Sequence, residues 1–152
     1  MSRPAVIAKT AADLRVSPNL SDYEAACGAF SWQAVRQVLA GLPGGGFNLA
    51  YEAVDRHVVG SQAAKVAFRF LPESGDQQVL SYAELARLSN RFCNVLRHLG
   101  IGKGDRLFVL CGRIPALYLT VLGGLKNGTV VSPLFSAFGP EPVRTRINLG
   151  GG

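Results

Sequence analysis

Apolar and polar positions change period several times along the chain, and each change marks a structural element. Residues 1–20 hold no period and read as an irregular lead-in. Asp22 to Gly28 and Trp32 to Ala40 have the length of two short helices, the second opened by Ser31 as N-cap. Trp32, Val35, Val38 and Leu39 share one face of that second helix. Gly41 ends it, Pro43-Gly44-Gly45-Gly46 reads as a loop, and Asn48 caps a third helix to about Val59, with Leu49, Ala53 and Val54 inward. Lys65 to Leu71 alternates as a strand does, with Val66, Phe68 and Phe70 on one face and Lys65 and Arg69 on the other. A turn over Pro72-Glu73-Ser74-Gly75-Asp76 leads into a second short strand at Gln78 to Leu80, completing a hairpin.

The clearest local grammar follows. Ser81-Tyr82-Ala83-Glu84 is a capping box, in which hydroxyl and carboxylate satisfy each other's backbone donors. Leu85, Leu88, Phe92, Val95, Leu96 and Leu99 then form an apolar stripe at helical period, stopped by Gly100 with Ile101 folding back on the last turn. Arg106 to Cys111 lacks a polar break after its first residue and reads as a buried strand. Pro115 opens a helix to Lys126 that is apolar nearly all round and should be buried on more than one side. Asn127-Gly128 ends it, Thr129 to Ser132 is a strand closed by Pro133, and a last helix runs from Gly139-Pro140 to Asn148-Leu149. Strand, helix and strand in this order make a right-handed β-α-β unit on a parallel sheet, so the fold class is α/β.

Composition adds limits. With 152 residues, 48% of them hydrophobic and 17% charged, the chain can bury a core and is not a disordered segment. Its longest apolar run, Ile114 to Leu125, is too short to cross a bilayer, and Met1-Ser2-Arg3-Pro4 opens no secretory signal. Arg3, Lys9 and Arg15 faintly resemble a transit peptide, but Pro4 and Pro18 work against the helix such a signal needs. Cys27, Cys93 and Cys111 have no paired or metal-type spacing and are expected to be reduced thiols of a cytoplasmic protein. Cys93 falls on the inner face of its helix, and Cys111 ends a strand. The net charge of +6 is dispersed over polar helix faces, as at Arg87, Arg91 and Arg97, with no interleaved stacking aromatics. A solvated surface explains it better than nucleic acid does.

Candidate chemistry is sparse. Gly100-Ile101-Gly102-Lys103-Gly104-Asp105 invites a phosphate-loop reading, but its spacing is wrong and it lies between a helix and a strand rather than the reverse. A helix cap followed by a tight turn accounts for its glycines. His57 and His98 read as surface histidines near helix ends. Asp55, Glu84 and Asp105 have local roles in helices and turns, and no nucleophile, base or paired-carboxylate arrangement can be assembled.

The order of short segments says more. Ser81-Tyr82-Ala83-Glu84-Leu85, Asn90 and Leu99 to Arg106 resemble the early conserved region of adenylate-forming enzymes. Arg113-Ile114-Pro115, Leu125-Lys126-Asn127-Gly128 and Ser132-Pro133-Leu134 keep that family's order and spacing. Phe30-Ser31-Trp32, the run Asn48 to His57, and Phe135 to Glu141 narrow the resemblance to the acetyl-CoA synthetase branch, over Asn19 to Leu149. The resemblance implies a helical leader over residues 1–46. It implies that residues 47–152 are the start of an AMP-binding large domain, incomplete in this chain.

It further implies activation of acetate with ATP and Mg²⁺ to an acyl-adenylate, followed by transfer to the thiol of coenzyme A. The Ser/Thr/Gly-rich loop with its lysine, the ribose-binding aspartate and the lysine of a mobile C-terminal domain have no counterpart here, so the chain alone is expected to be inactive. One site carries over by resemblance: Ser136, Ala137 and Phe138 match the loop beside the channel for the pantetheine arm of coenzyme A. The family usually has glycines where this chain has Ser136 and Ala137. Alternatively, Phe135 and Phe138 anchor that loop to a core or interface. A ligase for another short- or medium-chain carboxylate, or a non-catalytic module derived from the fold, are the competing functions. A β-α-β unit without its next strand leaves a sheet edge and apolar faces open, so the isolated chain is expected to be marginally stable or prone to aggregate.

Overall fold

A computed structural model gives the fold over residues 10–151; the readings that fall on residues 1–9 lie outside the described residues. The chain divides into two compact units, Met1–Val38 and Leu39–Gly152.

The first unit holds a 3-10 turn at Ala11–Asp13, helix α1 (Tyr23–Ala29) and helix α2 (Trp32–Val38). Short polar side chains start both helices: the Asp22 carboxylate accepts from the Ala25 N–H at 2.9 Å and the Ser31 hydroxyl from the Ala34 N–H at 3.1 Å. The expected inward face of α2 is not observed. Trp32 and Val38 are exposed, Leu39 lies past the helix end, and Trp32 packs edge-on against Phe30 at 5.1 Å between ring centres.

In the second unit Asn48 caps α3 (Leu49–Ala53), its side-chain oxygen accepting from the Ala50 and Tyr51 N–H groups. The expected helix to Val59 stops early. Val54 leaves helical geometry at φ −129° and ψ −62°, and a 3-10 turn follows at Asp55–His57. This break lets Val54 enter the core while Asp55 meets a lysine from a distant helix. Ala50, not Leu49 or Ala53, is the second buried position of this helix.

Strands β1 (Val66–Phe70) and β2 (Gln78–Ser81) form the expected antiparallel hairpin, with a shift of register between Val66 and Phe68. The irregularity turns Val66 outward, so only Phe68 and Phe70 of the predicted face pack inward, against the Tyr118 ring at 5.1 and 5.6 Å.

Helix α4 (Tyr82–His98) starts as the sequence requires: Ser81 N–H donates to Glu84 at 2.8 Å and the Glu84 N–H donates to the Ser81 hydroxyl at 3.3 Å. The remaining first-turn donors reach back to the carbonyls of Lys65 and Ala63. At the other end Gly100 adopts φ +78° and the Ile101 N–H closes on the Leu96 carbonyl at 2.9 Å. The inward stripe is rotated from the expected one. Leu85, Ala86, Ser89, Cys93 and Leu96 are buried, whereas Val95 and Leu99 are exposed. Small residues occupy that stripe because α5 (Pro115–Asn127) approaches closely: a methyl group on Gly123 would sit 2.7 Å from the Ser89 carbonyl oxygen. Ser89, fully buried, turns its hydroxyl onto the Leu85 and Ala86 carbonyls.

Strands β3 (Arg106–Leu110) and β4 (Val130–Leu134) pair in parallel across α5, Arg106 opposite Val130 and Leu110 opposite Leu134. Strand β4 continues through Pro133 instead of closing before it, which is tolerated because it pairs with β3 alone. Helix α5 is buried on several sides, as its composition predicts. Leu119 and Leu122 pack against Val54, Leu80, Leu85 and Ala86, while Gly124 faces Leu107 and Val131 of the sheet. Helix α6 (Pro140–Leu149) covers the other sheet face, its C-cap Gly150 lying against Phe108.

Candidate functional site

The loop carrying Ser136, Ala137 and Phe138 joins β4 to α6. Its backbone is a single turn closed by the Phe138 N–H on the Phe135 carbonyl at 3.0 Å, with Ser136 and Ala137 at the exposed corner. No described non-glycine residue has a positive φ, so serine and alanine occupy this corner without backbone strain. Phe138 is half-buried and Phe135 exposed; their rings meet edge-on at 5.5 Å. The anchor role is therefore Phe138's rather than Phe135's. Arg146, one turn and a half into α6, stacks its guanidinium 4.0 Å above the Phe138 ring and donates to the Pro142 carbonyl at 3.0 Å. Nothing in local spacing announced Arg146, since its partner lies on the preceding loop.

A second polar constellation was equally hidden. Lys126 Nζ donates to Asp55 at 2.7 Å, to Asn90 at 2.8 Å and to the Ala86 carbonyl at 3.4 Å. Its side chain is only 8% exposed and that of Asp55 21%. One ammonium thus joins the α3 segment, α4 and α5. These groups border an open cleft of about 410 Å³, lined also by Asn48, Tyr51 and Arg97. Asn48 closes the same corner by donating to the Leu125 carbonyl at 2.8 Å. Beside it, burial pushes the Glu52 carboxyl up. The N–H groups of Ala40 and Gly41 and the Arg56 guanidinium outweigh that effect and leave it below the ordinary glutamate value.

The glycine-rich turn before β3 is a scaffold element. Gly102 N–H donates to Asp105 at 2.7 Å, Gly104 N–H to the Gly128 carbonyl at 3.0 Å, and the Asn127 amide to the Ile101 carbonyl at 2.9 Å. With these donors engaged internally, the turn offers no phosphate cradle. His98 is exposed, and His57 is half-buried with its ring 5.1 Å from that of Tyr82. Cys93 is buried, Cys111 half-buried and Cys27 exposed. Among the described residues no three His, Cys, Asp or Glu side chains converge, so they do not form a cage for the Mg²⁺ that the resemblance implies. No described helix is long and apolar enough to cross a membrane.

The parallel β-α-β unit, the capped α4 and the loop after β4 together define an α/β protein. The chain belongs to the AMP-binding enzyme family, whose profile matches residues 55–151. It is similar to an acetyl-coenzyme A synthetase of Bacillus subtilis, 37% identical over 130 residues, covering 85% of this chain and 23% of that protein. A 3-hydroxypropionyl-coenzyme A synthetase of Metallosphaera sedula is 34% identical over 104 residues, covering 68% of this chain and 16% of that protein. The crystal structure of a Brucella canis acyl-CoA synthetase superposes with a TM-score of 0.77 at 33% identity, over 86% of this chain and 23% of the other. The chain thus spans about a quarter of the length of these relatives or less.

Proposed function

We propose that this chain is part of an AMP-forming acetate–CoA ligase. Its reaction joins acetate to ATP, giving acetyl-adenylate and pyrophosphate, and then passes the acetyl group to the thiol of coenzyme A with release of AMP. The observation that carries this reading is 37% identity to an acetyl-coenzyme A synthetase, maintained over most of the chain. ATP supplies the adenylyl group in that reaction, its α-phosphorus taking the acetate oxygen as pyrophosphate leaves, and Mg²⁺ would neutralise the phosphates; no described residue is assigned to hold either. What this chain contributes is the frame and one flank of the thiol channel. Ser136 and Ala137 form the wall the pantetheine arm passes, held in place by Phe138 and its Arg146 lid.

Acetate-dependent exchange of pyrophosphate into ATP tests the reading. The 152-residue chain should show none, and a protein extended in frame to the length of the relatives should show it. Absence of exchange with every small carboxylate in the extended protein would remove the enzyme reading. A second reading has its own support: similarity to a 3-hydroxypropionyl-coenzyme A synthetase favours another short carboxylate. It predicts exchange with 3-hydroxypropionate exceeding that with acetate.

A further inference from the structure

We propose that the cleft between the α3 segment and α4 is a binding site for a small organic anion, its carboxylate or phosphate head held by Arg97 and Asn94. The cleft, of about 410 Å³, shares no lining residue with the loop after β4. Packed helices ordinarily bring apolar lines together, but both walls here are polar. Asn48, Tyr51 and Asp55 line one side. Asn90, Asn94 and Arg97, spaced by four and three residues, form one ridge of α4 on the other. The Lys126 ammonium joins the two walls, on a side chain more than nine-tenths buried.

The internal hydrogen bonds decide what the cleft has left to offer. Asn90 Oδ1 accepts from Lys126 at 2.8 Å, so its NH₂ group is turned away from the ammonium. Asn127 Oδ1 accepts from Arg97 Nε at 3.3 Å, which anchors the guanidinium by its inner nitrogen. Both Nη groups of Arg97 then lack a partner among the described residues, as do the Asn94 amide and the Tyr51 hydroxyl. Asn48 is engaged at both ends of its amide, by the Ala50 and Tyr51 N–H groups and the Leu125 carbonyl. What remains is rich in donors: a guanidinium fork, two primary amides and a phenol. Such a set recognises an oxyanion.

Charge places the head group. Lys126 and Asp55 neutralise each other across 2.7 Å, so Arg97 leaves the lining with one net positive charge. The second Asp55 oxygen has no partner among the described residues and repels an anion. It stands at the Asn90 end, however, and Arg97 follows Asn90 by seven residues, about 10 Å along the helix. The head therefore sits at the Arg97 end, one turn from Asn94, and the body of the ligand extends toward Asn90 and Tyr51.

Titration of the 152-residue chain with acetate and with inorganic phosphate, at ionic strength held constant with chloride, tests the site. In NMR spectra the Arg97 Nε–H and the side-chain amides of Asn90 and Asn94 should shift together and saturate with one Kd of about 1 mM for the preferred anion. The anion that binds more tightly identifies the head group. Arg97→Gln should weaken binding about tenfold or more, through loss of a hydrogen-bonded charge. Asn94→Asp breaks no bond of the described fold and sets a carboxylate beside the head, so it should weaken binding as much even if the first variant does not fold. Shifts that do not saturate, or that are matched at the exposed Arg144, are charge screening and overturn the proposal. Saturable binding that stays within about twofold of the parent in either folded variant places the anion elsewhere and overturns it equally.

Discussion

Gly123 and Gly124 stand side by side in α5 and face different partners. A methyl group on Gly123 would meet the backbone carbonyl of Ser89 at 2.7 Å, whereas one on Gly124 would meet the ends of Val131 and Leu107 at 2.7 and 2.9 Å. A backbone atom inside a helix cannot yield as a side-chain methyl can. Gly123→Ala should therefore force α4 and α5 apart, at about 1–3 kcal/mol by overpacking, against about 1 kcal/mol regained in helix propensity. A net loss of about 0–2 kcal/mol in urea unfolding is expected. Gly112→Ala, which meets nothing within 4 Å, should stay within about 0.5 kcal/mol of the parent.

Glu84 and Glu52 both contribute to how stability depends on acid. The backbone N–H and hydroxyl of Ser81 hold Glu84 below its ordinary value of 4.5. Glu52 is also lowered from 4.5, its hydrogen bonds and Arg56 prevailing over burial. A folded-state pKa below the unfolded one adds stability that is present above about pH 4.5 and lost as pH falls through the folded values. Stability measured against pH should decline below that point, and more shallowly in the Glu84→Gln and Glu52→Gln variants.

Among the elements, α4 was the most legible, because its start, stop and period are all written locally. Ser81→Ala removes the hydroxyl from the capping box and should cost about 1 kcal/mol. What local reading missed there was orientation. Val95 and Leu99 fit the period yet face outward, since the close approach of Gly123 selects Ser89 and Cys93 as the inner line. The irregularity at Val66 and the break at Val54 were illegible for a related reason. Each is imposed by pairing or contact with residues far along the chain, and periodicity reports only neighbours. Pro133 misled in a specific way: it reads as a strand terminator, but an outward-facing proline ends nothing.

Across the molecule, the α/β class and the β-α-β order were readable, and the family followed from motif order. Of the candidate site, the loop positions were named from resemblance, while Arg146 above Phe138 and the Lys126–Asp55–Asn90 cluster required the folded chain. Lys126 is separated from Asp55 by 71 positions, so no spacing rule could pair them. The pair is intermediate between an exposed bridge worth about 0–1 kcal/mol and a buried one whose breakage costs about 3–5. Lys126→Met should thus destabilise by about 1–3 kcal/mol. Adding Asp55→Asn should return part of the loss in a double-mutant cycle, because the stranded carboxylate is then neutral.

Asn127 has a bearing on how the protein ages. Asparagine followed by glycine is the dipeptide most open to spontaneous deamidation, in which the glycine nitrogen attacks the side-chain amide. Here that nitrogen donates to the Leu125 carbonyl at 3.1 Å, and the amide donates to the Ile101 carbonyl at 2.9 Å, so both reactants are restrained. Once deamidated, position 127 would turn an acceptor toward the Ile101 carbonyl in place of a donor. The helix end and the turn before β3 would then push apart at the point where they are now joined. Peptide mapping should find this conversion slower in the folded chain than in urea, and a stored sample should lose stability in step with it.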